Sequence, residues 1–232
     1  MSGKLYIVAT PIGNLDDITF RAIETLKNVD LIACEDTRRT KILLEKYGIA
    51  KNLVSYYNYN ERQRAEELLR ELKSGKNIAL VSDSGTPGIS DPGYVIIKRA
   101  IQENITVVPI PGATAFVCAL VASGLPMDEF VFVGFLPHKK GRKTKLEKLS
   151  QEERTIIIYE SPHRILKTLN ELIEYFGDRE IVVAKELTKV HEEFFRGKIS
   201  EVLKKLTPDK IKGEFVIVVS GKNKKEAKNE ET

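Results

Sequence analysis

The chain has 232 residues, 42% of them hydrophobic, enough for one large domain or two small ones, each with a core. Its formal net charge of +4 permits contact with nucleic acid without demanding it, and no segment approaches the ~20 apolar residues that a membrane span needs. Cys34 and Cys118 sit in apolar segments and read as buried, reduced thiols of a cytoplasmic protein, not as a disulfide framework.

In chain order, Lys4 to Ala9 reads as a buried strand, too short and too soon ended by Pro11 and Gly13 to be a signal peptide. A helix is expected over Thr19 to Val29 with Phe20, Ile23 and Leu26 on one face, then a short strand at Leu31 to Cys34. Thr37 to Tyr47 is helical and stops at Gly48; Leu53 to Tyr56 reads as a strand. In Glu61 to Lys73, Ala65, Leu68, Leu69 and Leu72 recur at helical spacing. Asn77 to Val81 is a strand, Tyr94 to Gln102 a helix, Ile105 to Pro109 a strand and Ala113 to Ala122 a helix. This alternation predicts βαβ units on a mostly parallel sheet with helices on both faces.

The pattern changes after Ser123-Gly124-Leu125-Pro126. Strands are expected at 130–135, 155–159, 181–185, 193–196 and 215–219, and helices at 165–176 and 199–206, with the basic stretch Lys139 to Leu149 either a helix or a mobile arm. Such spacing predicts a mixed sheet. The organisation read from this is an N-terminal α/β domain over 1–124, a C-terminal mixed α/β domain over 125–221, and a charged, disordered tail over 222–232.

Neither G-x-G-x-x-G after the first strand nor a P-loop is present, and His138, His163 and His191 lack metal-ligand spacing, so no metal is expected. Four loops instead follow expected strands, three of them rich in Gly and Pro: Thr10 to Asn14, Cys34 to Arg38 (which has neither), Ser82 to Gly93, and Pro109 to Ala115. The ends of parallel strands share one edge, so these loops together predict a ligand cleft. The 82–93 loop carries hydroxyls and carboxylates but no Lys or Arg, which suits a ligand with hydroxyl and ammonium groups better than a polyphosphate.

Those same segments, with Tyr159-Glu160-Ser161-Pro162-His163-Arg164, resemble the tetrapyrrole-methylase superfamily and, within it, the ribosomal branch of small-subunit rRNA (cytidine-2'-O-)methyltransferases. The likeness runs from about Lys4 to Gly221. It implies a two-domain tetrapyrrole-methylase-like α/β fold with S-adenosylmethionine (SAM) in a cleft between the domains. Carried onto this sequence, Asp83, Ser84, Gly85, Ile89 and Ser90 would face the cofactor, Pro11 and Gly13 would form its floor, Ala113 and Thr114 would flank it, and Tyr159 and Leu187 would pack on the adenine. It further implies a homodimer.

Methyl transfer to a ribose 2'-OH needs alignment and a group that removes the hydroxyl proton. Candidates at strand ends are Glu35, Asp36, Glu160, His163, Lys185 and Glu186, with Glu160 and His163 first and Lys185 next. RNA needs cations: Lys139, Lys140, Arg142 and Lys143 form the densest run, Arg38 and Arg39 a second cluster, and Arg62 a third beside Tyr56, Tyr57 and Tyr59. The expected activity is SAM-dependent 2'-O-methylation of a cytidine of 16S rRNA in the 30S subunit. The alternatives are a tetrapyrrole or corrinoid methyltransferase and a non-catalytic RNA-binding assembly factor.

Overall fold

Strands Leu5–Val8 (β1), Leu31–Cys34 (β2), Leu53–Ser55 (β3), Ile78–Leu80 (β4) and Val107–Ile110 (β5) form one sheet in the order β3-β2-β4-β1-β5. Every pairing in it is parallel. The structure, a computed structural model, describes residues 2–223. Helices Phe20–Asn28 (α1), Thr37–Lys46 (α2), Glu61–Lys73 (α3) and Tyr94–Gln102 (α4) link the strands. The side-chain alternation of a strand sorts the core into two layers. Leu5, Ile7, Ala33, Ile78 and Leu80 pack with Leu68, Leu72 and Ile96, whereas Val8, Ile32, Cys34, Ala79 and Val81 pack with Ala22, Leu26 and Leu44.

In α1 the expectation for Phe20 fails: it is the first helical residue and is 90% exposed, while Ala22 and Leu26 face the core. The other two expected residues hold, since Leu26 is buried and Ile23 packs against the same core beside Ala22. Thr19 caps the helix, its Oγ1 accepting from the Ala22 N–H at 3.1 Å.

The chain divides into two compact units, Met1–Thr114 and Ala115–Thr232. The change of pattern at Ser123-Gly124-Leu125-Pro126 places helix Ala115–Val121 (α5) with the first domain. Its ring contacts fall in the second unit, where Phe116 stacks on Phe132 at 4.5 Å and its N–H donates to the Tyr159 hydroxyl at 3.1 Å.

The second unit is built on Phe130–Phe135 (β6), Thr155–Glu160 (β7), Glu180–Lys185 (β8), Glu193–Lys198 (β9) and Phe215–Val219 (β10). Their order is β6-β7-β10-β8-β9, with β6 parallel to β7 and the other pairings antiparallel. Ile156, Ile158, Val183, Ile217 and Val219 meet Leu146 and Leu149 of Arg142–Ser150 (α6), Leu169 and Leu172 of Ile165–Phe176 (α7), and Val202 of Ile199–Lys205 (α8). The stretch read as a helix or an arm is thus a helix from Arg142 onward. Lys222, the first residue of the expected tail, donates through its N–H to the Glu152 carbonyl at 2.7 Å; the tail from 224 on lies outside the described residues. No helix among the described residues is long and apolar enough to cross a membrane.

Candidate functional site

β1 and β4 are neighbours, so the loops leaving their C-terminal ends start side by side. Thr10 and Gly85 form a two-way backbone bridge at 2.8 and 3.0 Å, and the Thr10 hydroxyl donates to the Ser82 carbonyl at 3.0 Å. Gly85 has φ of +85°, a conformation that favours glycine, and a Cβ there would meet Ile12 and the Ala113 carbonyl at ordinary contact distance, 3.5 and 3.7 Å. Thr86 closes the other side: its hydroxyl lies 3.2 Å from the Ala113 carbonyl and 2.8 Å from the Thr114 hydroxyl. The turn before Ala113 depends on close approach, since a Cβ on Gly112 would lie 2.8 Å from the Ala9 Cβ.

The loops at 10–14, 82–93 and 111–115, which contain Pro11, Gly13, Asp83, Ser84, Gly85, Ile89, Ser90, Ala113 and Thr114, are thus brought to one edge of the first unit. Ser90 has φ of +67°, unusual for a non-glycine residue, and marks strain in this loop. Asp83 Oδ1 accepts from the Asp36 N–H at 2.9 Å, which ties in the fourth loop, and Asp83 Oδ2 is 3.7 Å from Arg39.

Sequence reading missed the support of this loop. Glu61 Oε1, on α3, accepts from the Gly93 N–H at 3.0 Å and the Tyr56 hydroxyl at 2.9 Å; Tyr56 in turn accepts from the Ile96 N–H at 3.3 Å. Helix α4 has no cap from its own sequence, and Glu61 supplies one from 32 residues away. A carboxylate at the start of α3 looks like an ordinary first-turn acid, so no sequence signal distinguishes it. Tyr56 is 1% exposed and belongs to this support, not to a stacking surface.

Two carboxyls on the rim differ in character. Burial, followed by the nearby Asp83 charge, pushes Glu35 above its ordinary value against the pull of Arg39. Asp36 is held at about 2 by hydrogen bonds from Arg38, whose guanidinium reaches it at 2.7 and 3.0 Å.

In the second unit Glu160 is 2% exposed, and both its oxygens are engaged inside the fold. Oε1 takes the Ser161 N–H and the Arg164 guanidinium, each at 2.8 Å, and Oε2 takes the Thr168 hydroxyl at 2.6 Å. His163 is exposed on the turn that follows β7. Tyr159 is half-buried among Phe132 and Phe135. Lys185 is buried at the end of β8, and Leu187 is buried in the next turn, where Glu186 and Thr188 both have positive φ.

A model of the tetrapyrrole (corrin/porphyrin) methylases matches residues 4–203. The chain belongs to the tetrapyrrole methylase family. Among its curated relatives, the ribosomal RNA small subunit methyltransferase I of Thermotoga maritima is 50% identical over 95% of this chain and 99% of its own length. The enzyme of the same name from Bacillus subtilis is 54% identical over 99% of this chain and 79% of its own. Among solved structures, the uroporphyrin-III C-methyl transferase of Thermus thermophilus, in complex with S-adenosylhomocysteine, superposes with a TM-score of 0.67 at 17% identity, covering 94% of this chain and 97% of its own. The fold is shared.

On this tetrapyrrole methylase the basic clusters part company. Lys139, Lys140 and Lys143 are exposed, whereas Arg142 is 5% exposed. Its guanidinium donates to Glu171 at 2.6 and 2.8 Å, to the Thr168 hydroxyl at 2.7 Å and to the Pro137 carbonyl at 3.0 Å. A residue read as an RNA contact is thus the centre of a buried network that also holds Glu160 through Thr168. Burial of every third or fourth residue on α6 is what turned it inward. Arg38, Arg39 and Arg62 are exposed, as are Tyr57 and Tyr59, which meet edge to face at 6.4 Å. Cys34 is buried and Cys118 partly exposed; both are free.

Proposed function

We propose that this methylase transfers a methyl group from SAM to the 2'-OH of a cytidine of 16S rRNA in the small ribosomal subunit. The observation that carries the reading is 50% and 54% identity, over 95% and 99% of this chain, with relatives named ribosomal RNA small subunit methyltransferase I.

The rim of the first unit fits the donor. It offers backbone polar groups around Gly85, hydroxyls on Thr86 and Thr114, and the Asp83 carboxylate, with no lysine in the 82–93 loop to repel an ammonium or a sulfonium. When bound, SAM supplies an electrophilic methyl group. Asp83 and the 82–93 backbone bind and orient it, with Pro11, Gly13, Ser84, Ile89, Ser90, Ala113 and Thr114 alongside. The Thr10–Gly85 bridge and the Glu61 cap keep that wall fixed at both ends, which preorganises the reacting atoms.

Among the candidate bases, Glu35 suits proton removal best. Its raised carboxyl value brings it toward neutral pH, and it neighbours Asp36, the residue tied to Asp83. The Glu160 oxygens are occupied and its role is structural. Lys139, Lys140 and Lys143, with Arg38, Arg39 and Arg62, supply the phosphate contacts, and Tyr57 and Tyr59 offer stacking faces.

The deciding experiment incubates purified protein and labelled SAM with 30S subunits, naked 16S rRNA or a tetrapyrrole precursor. Alkali-stable label on a cytidine ribose is expected. Label confined to the tetrapyrrole favours the corrinoid reading; protein that binds rRNA but never SAM favours the assembly-factor reading.

A further inference from the structure

The second unit contains a recess of about 550 Å³ that none of the roles above uses. Lys185, Glu186, His191, Glu193, Asp209, Lys210 and Gly213 contribute to its wall, and Val190, 95% exposed, stands on its lip. Lys185 is only 8% exposed; its charge acts on Glu186 and Asp209, but among the described residues no hydrogen bond and no ion pair within 4 Å engages it. Its stem is buried but its Nζ is not sealed from solvent, so the ammonium opens onto the recess and its donors are available to something that enters.

The surrounding carboxylates are mostly committed. Glu186 accepts from Lys189 and from the Glu214 N–H at 2.8 and 2.9 Å, Glu192 from the Thr188 N–H at 2.6 Å, and Glu193 from Lys210 at 2.7 Å. Asp209 is exposed, and its hydrogen bonding comes from its own turn, with Thr207. Acids and lysines on the wall therefore almost balance, which disfavours a polyphosphate. A neutral, flat ligand with acceptors on one part of its edge and a donor on another matches Lys185 and Asp209.

We infer that this recess receives an unpaired nucleobase of the RNA substrate, with Lys185 donating to a ring carbonyl oxygen and Asp209 accepting from an exocyclic amine. Resting on the rRNA reading above, the inference makes this the pocket for the acceptor cytosine, whose edge carries that pair of groups. Val190 gives the base face an apolar contact. Lys185 is then a specificity residue and not the base.

The test uses the full chain with 30S subunits whose acceptor position is cytidine or uridine. Parent protein is compared with Asp209→Asn and Lys185→Met, and calorimetry with SAM and thermal unfolding accompany each. The expected result is a parent preference for cytidine of about tenfold or more, reduced at least several-fold in Asp209→Asn, with SAM affinity and unfolding temperature unchanged. Lys185→Met should raise KM for the cytidine substrate in the same assay. If the parent methylates 30S subunits and Asp209→Asn keeps the parent's cytidine preference, the pocket assignment falls while the rRNA reading stands. If the parent methylates no rRNA, the underlying reading has failed instead. Because Asp209 is exposed, its variant stays informative even if Lys185→Met does not fold.

Discussion

Asp83 Oδ1 accepts the backbone N–H of Asp36 at 2.9 Å, so a side chain from the loop after β4 fixes the backbone of the loop after β2. One carboxylate both presents charge on the rim and holds the position of Glu35 beside it.

Two variants of Asp83 should separate these roles. Asp83→Asn retains an oxygen for the Asp36 N–H and loses only the charge; Asp83→Ala loses both. We expect calorimetric SAM affinity to fall about tenfold in Asp83→Asn and further in Asp83→Ala, the scale of a lost hydrogen bond to a charged group. Unchanged affinity in both variants would remove Asp83 from the donor wall.

Activity should rise with pH as Glu35 loses its proton, across a range displaced upward from the ordinary carboxylate value of 4.5. Glu35→Gln should lose that limb and about 100-fold in kcat. Its effect on stability has the opposite sense. A carboxyl whose value is raised by folding binds its proton more tightly in the folded chain, so its contribution is full below the unfolded value and is lost as pH rises through the folded one. A pH–rate profile of Glu35→Gln that overlays the parent's would rule out this base.

The Glu160–Thr168–Arg142–Glu171 network is a stability element. Arg142→Met leaves Glu171 and the Thr168 hydroxyl short of partners, and Glu160→Ala strands Arg164. Each should cost about 3–5 kcal/mol in urea unfolding, the range for breaking one side of a buried pair. An Arg142→Met protein of parental stability and weakened rRNA binding would restore Arg142 to the RNA surface.

Gly112→Ala places a methyl 2.8 Å from the Ala9 Cβ. Overpacking at this contact should destabilise the first unit by about 1–3 kcal/mol and displace Ala113 and Thr114, raising KM for SAM. Thermal unfolding with SAM titration measures both; a variant matching the parent in both would show that the 111–115 turn moves freely.

The elements of this fold were largely legible in the chain because both of its sheets obey simple periodicities. β1, β2 and β4 are apolar at every position because each is covered on both faces, and α3 and α7 show one apolar stripe because each is covered on one. The loops at strand ends announced themselves through glycine, proline and aspartate, whose backbone preferences are local. Sequence therefore determined the α/β class, the position of the loops at the strand ends and the family.

What partners a side chain was decided only in three dimensions. Arg142 in a basic run looked solvated, yet it is buried because helix α6 turns that residue toward Thr168 and Glu171, 26 and 29 residues away. Glu160 looked catalytic because it ends a strand, the same position that let Arg164 and Thr168 surround it. Glu61 looked ordinary because its partner, the N-terminus of α4, lies 32 residues along the chain. Charge and hydrogen-bonding capacity are local properties of a residue, but whether that capacity is spent inside the fold or offered to a ligand depends on which distant groups the topology sets beside it.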